Sequence, residues 1–214
     1  MPRPHDLLHL VAAEVAILTR AGPEWVKPAL AMAPYVVVRR EASTPGKVAV
    51  GVRGSTRAER FGSFLEFRHG TVPITPESLA QACGWRTSPY RDRVPALRAL
   101  DAVAAAMSLA GWRWGPGGSV GFELATGRSS ATHTSDLDIV VQCPRRFEKR
   151  HVAEMLVALD GGCCRIDVIL ETPAGGVSLL DLAHSTGAIL ARTSRGPMWV
   201  TDPWALAVPA PACS

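Results

Sequence analysis

Two short runs of β-branched residues stand out in the first third of the chain. Tyr35 to Arg40 (YVVVRR) and Lys47 to Arg53 (KVAVGVR) both predict strands, the second ending at Gly54-Ser55. Glu24 to Ala33 reads as a helix before them. Thr56 to Phe64, carrying Arg57 and Arg60, reads as a short helix after them. Thr75-Pro76-Glu77 is a helix start, with Thr to cap, Pro at the first helical position and an acid in the first turn.

The longest helical period follows, from about Val94 to Ala110. Leu97, Leu100, Val103, Met107 and Ala110 recur there at helical spacing. The segment Trp112 to Ser119 (WRWGPGGS) ends it and leaves a flexible glycine turn before a short helix. Beyond it, Leu137 to Gln142 and Arg165 to Leu170 predict strands, and Glu148 to Leu159 a helix, with a turn at Gly161-Gly162. Val177 to Ser185 reads as a helix. Ala188 to Thr193 and Met198 to Thr201 read as a closing hairpin.

The turn-rich stretch Gly84 to Asp92 is the best boundary. The expected fold class is α+β: an N-terminal mixed module over 1–88, then a better-defined domain over 89–214.

Composition narrows the class. Hydrophobic residues make up 47% and charged ones 20%, enough apolar content for a core and too little charge for a disordered chain. Lys and Arg number 23 against 19 Asp and Glu, a net charge of +4 that suits an anionic ligand or an acidic partner but is too weak to argue for DNA, so no nucleic-acid partner is expected. No apolar run reaches a membrane span, and His5, Asp6, His9 and Glu14 interrupt any signal-like segment. The five cysteines (Cys83, Cys143, Cys163, Cys164 and Cys213) have no zinc spacing, and their reading as reduced thiols implies the cytoplasm.

Chemistry concentrates in SDLDIVV, Ser135 to Val141. Side chains alternate along a strand, so Asp136 and Asp138 share one face while Leu137 takes the other. Two carboxylates so close resist ionisation together. Mg²⁺ relieves this, because it binds hard oxygens and often takes one or two carboxylates plus substrate phosphates. A third acid, Asp167, lies in the apolar run RIDVI and would join them if the two strands are neighbours. That makes a site for metal-assisted phosphoryl transfer, with Asp136, Asp138 and Asp167 as catalytic residues and metal ligands. Upstream, Gly118 and Ser119 open a helix where free N–H groups suit a phosphate. For Asp167 the alternative is an ion pair with an arginine such as Arg165.

This order of Gly118-Ser119, Asp136-Leu137-Asp138 and Asp167 resembles the nucleotidyltransferase superfamily. Longer strings carry a narrower resemblance: RPHDLL, APYVVVRR, VGVRGSTRAERF, PALRAL, GSVGFELATG, SDLDIVV and ETPAGGVSL. They look like the phosphoribosyl-dephospho-CoA transferases of the malonate decarboxylase system, its holo-acyl-carrier-protein synthases, from near the N-terminus to about Trp204.

The resemblance implies a nucleotidyltransferase-like palm in the later domain. It implies transfer of the phosphoribosyl-dephospho-CoA group from 2′-(5″-triphosphoribosyl)-3′-dephospho-CoA to a serine of the apo acyl carrier subunit. Asp136 and Asp138 would bind Mg²⁺ on the triphosphate, and Gly118 and Ser119 would hold the departing pyrophosphate. Asp167 would complete the metal site or accept the serine proton. Two rivals stand beside this: a nucleotidyltransferase using an ordinary nucleoside triphosphate, and a non-catalytic binding module. No motif assigns a role to the arginines Arg39, Arg40, Arg53, Arg57 and Arg60: a solvated face is the default for any one of them, and a grip on CoA phosphates or an acidic carrier helix the alternative. Glu123, His5 and His133 read as structural or exposed, and Trp112 and Trp114 as packing residues rather than adenine stackers.

Overall fold

Two sheets, each with its own apolar core, divide the chain. A computed structural model describes residues 1–205 except Ser43, Arg57, His69, Glu148 and Gly161, and only the backbone of Lys149. The expectations for Arg57, Glu148, Gly161 and Cys213 therefore lie outside the described residues.

The first sheet has strands β1 (Leu7–His9), β2 (Tyr35–Val38), β3 (Lys47–Arg53) and β4 (Arg60–Glu66), in that order and antiparallel throughout. Helices α1 (Ala12–Ala21) and α2 (Val26–Met32) cover one face, burying Leu18, Val26 and Leu30 against Val36 and Val50. The helix expected over Thr56 to Phe64 is instead a turn leading into β4. Each residue from Arg60 to Glu66 pairs with one from Arg53 to Lys47, so β3 supplies the hydrogen bonds that make this segment a strand. Glu59 shapes the hairpin loop, its carboxylate accepting from the Ser55 hydroxyl (2.8 Å) and the Thr56 N–H (3.0 Å).

The second sheet holds β5 (Arg113–Pro116), β6 (Leu137–Gln142), β7 (Ile166–Thr172), β8 (Gly175–Ser178), β9 (Ile189–Thr193) and β10 (Gly196–Val200). Their order is β10-β9-β8-β7-β6-β5. The described residues also form α3 (Pro76–Ala82), α4 (Pro95–Leu109), α5 (Gly118–Thr126), α6 (Lys149–Leu159) and α7 (Leu179–His184). Thr75 caps α3 as its sequence predicts, accepting from the Ser78 N–H at 3.1 Å. Two expectations are corrected. The segment read as a flexible turn contains β5, which exists because Arg113 to Pro116 pair with Gln142 to Ile139. The helix expected from Val177 starts only at Leu179, since Val177 pairs with both Leu170 and Ala191 inside the sheet.

All pairings in this sheet are antiparallel except β6 with β7. A parallel pair needs a crossover, and α6 provides it. On one face Leu137, Ile139, Val141, Val168 and Leu170 pack against α4 residues such as Leu97, Leu100, Val103 and Met107. The opposite face of β6 and β7 is left for the first sheet.

Contacts among the described residues join the first sheet and its N-terminal turn to the rest of the chain. Leu7 bridges to Ile74, Arg3 grips both oxygens of Glu77 (3.0 and 2.9 Å), the Ala42 N–H donates to the Ser194 carbonyl (2.6 Å), and Arg40 and His5 both meet Glu171. The described cysteines, Cys83, Cys143, Cys163 and Cys164, are free thiols, and burial pushes Cys143 and Cys164 each up to about 11. No helix among the described residues is long and apolar enough to cross a membrane.

Candidate active site

Period-2 alternation decides where the acids of β6 and β7 go. Leu137 and Ile139 turn into the core, so Asp136 and Asp138 turn outward, and on β7 Asp167 shares the outward face with Ile169 and Glu171. The parallel register places Asp138 directly beside Asp167. Asp136, Asp138 and Asp167 are not buried in apolar surroundings. Asp136 and Asp138 edge a cleft of about 930 Å³ between the two sheets, with Asp167 on the strand beside them.

Asp138 reaches the water of this cleft, yet the protein walls around it still strip part of its solvation. That desolvation, followed by the charges of Asp167 and Asp136, raises its carboxyl above the ordinary value of 3.8. Arg53 and His5, both from the first part of the chain, pull the other way. The first sheet thus supplies the positive side of a site whose negative side lies on the second.

The glycine turn folds onto the same spot. The Gly117 N–H donates to the Asp138 carbonyl at 2.8 Å, and Gly118 has a φ of +56°, a conformation few other residues adopt cheaply. A β-carbon on Gly118 would lie 1.7 Å from Oδ2 of Asp138. The start of α5 is therefore pressed against the carboxylate, with nearly buried Ser119 next in line and lining the cleft.

Asp167 is engaged by Arg165, whose Nε and terminal nitrogen lie 3.0 and 2.8 Å from Oδ1. Among the described residues no three His, Cys, Asp or Glu side chains form a ready metal cage. The donor set fits a cation that takes one or two carboxylates here and its other oxygens from a bound phosphate chain, which is the habit of Mg²⁺.

The expected arginines part company. Arg53 and Arg60 line the cleft, as do Arg128 and Arg192. Arg39 pairs with Glu41 at 2.9 Å, and Arg40 with Glu171. Burial disfavours a charge on Glu171, but hydrogen bonds from His5 and Arg40 outweigh it and hold the carboxyl below its usual range. Trp112 packs edge-on against Phe147 and Trp114 against Trp85, away from the cleft. Trp25 with Pro28, Ala29 and Met32 of α2 forms an apolar wall of the cleft instead. Neither Trp25 nor His5 carries a sequence signal for this. Both arrive through the packing of the two sheets.

Glu123 is structural, as expected, and its work bears on the site. Buried at 2% exposure, it accepts from the N–H groups of Ser130 (2.8 Å) and Ala131 (3.0 Å) through Oε2. This anchors the hydroxyl-rich loop, Ser129 to Ser135, that runs along the cleft into Asp136. Glu123→Ala leaves both amides unpaired and is expected to cost about 1–3 kcal/mol. A lowered melting temperature with faster amide exchange at Ser130 and Ala131 would show it; unchanged exchange there would refute the anchoring role.

Comparison with known proteins identifies the family. Residues 3–76 match the family model of the phosphoribosyl-dephospho-CoA transferase MdcG N-terminal domain, and residues 84–203 that of its C-terminal domain. The chain belongs to the phosphoribosyl-dephospho-CoA transferase family. It is 40% identical over 210 residues to the phosphoribosyl-dephospho-CoA transferase of Pseudomonas putida, spanning 98% of both chains. Identity is 39% to that of Pseudomonas aeruginosa (96% and 95% of the two chains) and 36% to that of Azotobacter vinelandii (95% of each). No solved structure matches. In this family's terms, the carboxylates and glycine turn fall in the C-terminal domain, and His5, Arg53 and Arg60 in the N-terminal one.

Proposed function

We propose that the cleft binds 2′-(5″-triphosphoribosyl)-3′-dephospho-CoA and transfers its phosphoribosyl-dephospho-CoA group to a serine of the apo acyl carrier subunit of malonate decarboxylase. The serine oxygen forms a bond to the α-phosphorus, the bond to pyrophosphate breaks, and the serine proton leaves to a base. The observation that carries this reading is the convergence of Asp138, Asp167 and the Gly118 turn at the mouth of a large two-walled cleft.

The second sheet serves as a nucleotidyltransferase-type palm. Asp136 and Asp138 would hold Mg²⁺, which supplies charge neutralisation on the triphosphate. Gly118 and Ser119 hold the departing pyrophosphate at the start of α5. Asp167 completes the metal site or takes the serine proton through Oδ2, since Arg165 holds Oδ1. The arginines of the cleft suit the anionic end of the substrate, and the Trp25–Met32 wall its apolar parts. The free thiols among the described residues suit a reducing cytoplasm.

The test is to incubate the protein with Mg²⁺, the triphosphoribosyl precursor and apo-carrier, then weigh the carrier and measure pyrophosphate. The carrier should gain the mass of one prosthetic group, with one pyrophosphate per transfer. Transfer from ATP or CTP but not from the precursor would favour the ordinary nucleotidyltransferase. No metal-dependent turnover of any triphosphate would favour the binding module.

A further inference from the structure

The turn Arg3-Pro4-His5-Asp6 is built against its own preference. The Asp6 N–H donates to the Arg3 carbonyl at 3.1 Å, closing a β-turn with proline in second place. His5 stands third with a φ of +76°. That is the arrangement of a type II turn, whose third place belongs to glycine because a side chain there is strained. Histidine in that position is maintained by its surroundings. The Arg3 N–H donates to the carboxylate of buried Asp6 at 2.7 Å, the Arg3 guanidinium is fixed on Glu77, and the His5 N–H donates to the Val38 carbonyl at 3.0 Å.

The strained side chain faces the reaction site. His5 lines the 930 Å³ cleft, and it also lines a smaller cavity of about 190 Å³ shared with Arg53, Arg60, Gly117 and Gly118. Its Nε2 lies 3.3 Å from Oε1 of Glu171, which leaves Nδ1 for a ligand. Strain of this kind gathers at functional sites, where the fold over-determines it.

We infer that His5 is a further substrate-contacting residue, which closes the phosphate site from the N-terminal part while Gly118 and Ser119 close it from the other. This rests on the proposed reading that a triphosphate occupies the cleft. Glu171 takes one ring nitrogen of His5, and the phosphate chain meets the other.

His5→Gly tests this, because it removes the ring and relieves the turn together. Two readouts are needed: melting temperature, and the affinity for inorganic tripolyphosphate with Mg²⁺ by calorimetry. The melting temperature should hold or rise, while the affinity falls ~10-fold or more, the loss of one charge-assisted hydrogen bond. Should the glycine variant fail to fold, His5→Asn, which tolerates the same backbone, is expected to show the same weakened binding. Tripolyphosphate bound as tightly by the variant as by the natural protein would overturn the inference. So would a natural protein that binds no tripolyphosphate. If the carrier-modification assay fails while His5→Gly still weakens tripolyphosphate binding, the transfer reading falls and this one stands.

Discussion

Asp138→Asn is expected to abolish transfer and, at neutral pH, to raise the melting temperature. Activity should drop on the order of 10³-fold or more, the scale seen when a group that stabilises a developing charge is removed. Stability moves the other way because Asp138 carries its charge under protest. Desolvation by the cleft walls and the neighbouring Asp167 and Asp136 raise its carboxyl above 3.8. A carboxyl raised in the folded state penalises folding once it ionises, and the penalty vanishes at low pH, where both states hold the proton. The stability gap between Asp138→Asn and the natural protein should therefore be widest above the folded-state value and close as the pH falls below 3.8. The substitution spares the Asp138 carbonyl that accepts from Gly117, so the turn keeps its anchor. A variant that transfers at a near-normal rate would remove Asp138 from the chemistry. One that melts lower at neutral pH would show that the crowding of acids is not what sets the local stability.

Local pattern and long-range packing explain which features could be read from the chain. The β-branched runs of β3 and β6 carry their own signal, and their observed bounds, Lys47–Arg53 and Leu137–Gln142, coincide with the sequence reading. Strands β4, β5 and β8 do not. Arg60 to Glu66 has no bias of its own until β3 pairs with it, and Arg113 to Pro116 and Gly175 to Ser178 are rich in residues that usually mark turns. The acids were visible because D-x-D in an apolar run is a local oddity, whereas the register of Asp138 beside Asp167 is a property of the sheet. The ion pair of Asp167 with Arg165 is two residues long and was equally readable. His5 and Trp25 were not, since what brings them to the cleft is the seating of one sheet on another, through Arg3–Glu77, Arg40–Glu171 and Leu7–Ile74.

Gly118→Ala should separate the cost of a strained backbone from the cost of a displaced carboxylate. Gly127, at the other end of α5, has a φ of +67° and open space where a β-carbon would go. Gly127→Ala is therefore expected to cost about 1–2 kcal/mol for the left-handed conformation alone, with transfer nearly unchanged. Gly118 has a similar φ of +56°, but its added β-carbon would meet Oδ2 of Asp138 at 1.7 Å and Cγ at 2.7 Å. The end of an aspartate side chain can swing aside, so the loss of stability should exceed that of Gly127→Ala only modestly. The rate should fall far more, by ~10²–10³, because the carboxylate leaves the place beside Asp167 where, on the proposed reading, the phosphate chain would be met. Introduced into an Asp138→Ala background, where there is no carboxylate to displace, Gly118→Ala should cost no more stability than Gly127→Ala, and the coupling in melting temperature is the quantity to measure. If Gly118→Ala and Gly127→Ala slow transfer equally, the close approach of the glycine turn to Asp138 has no part in the reaction.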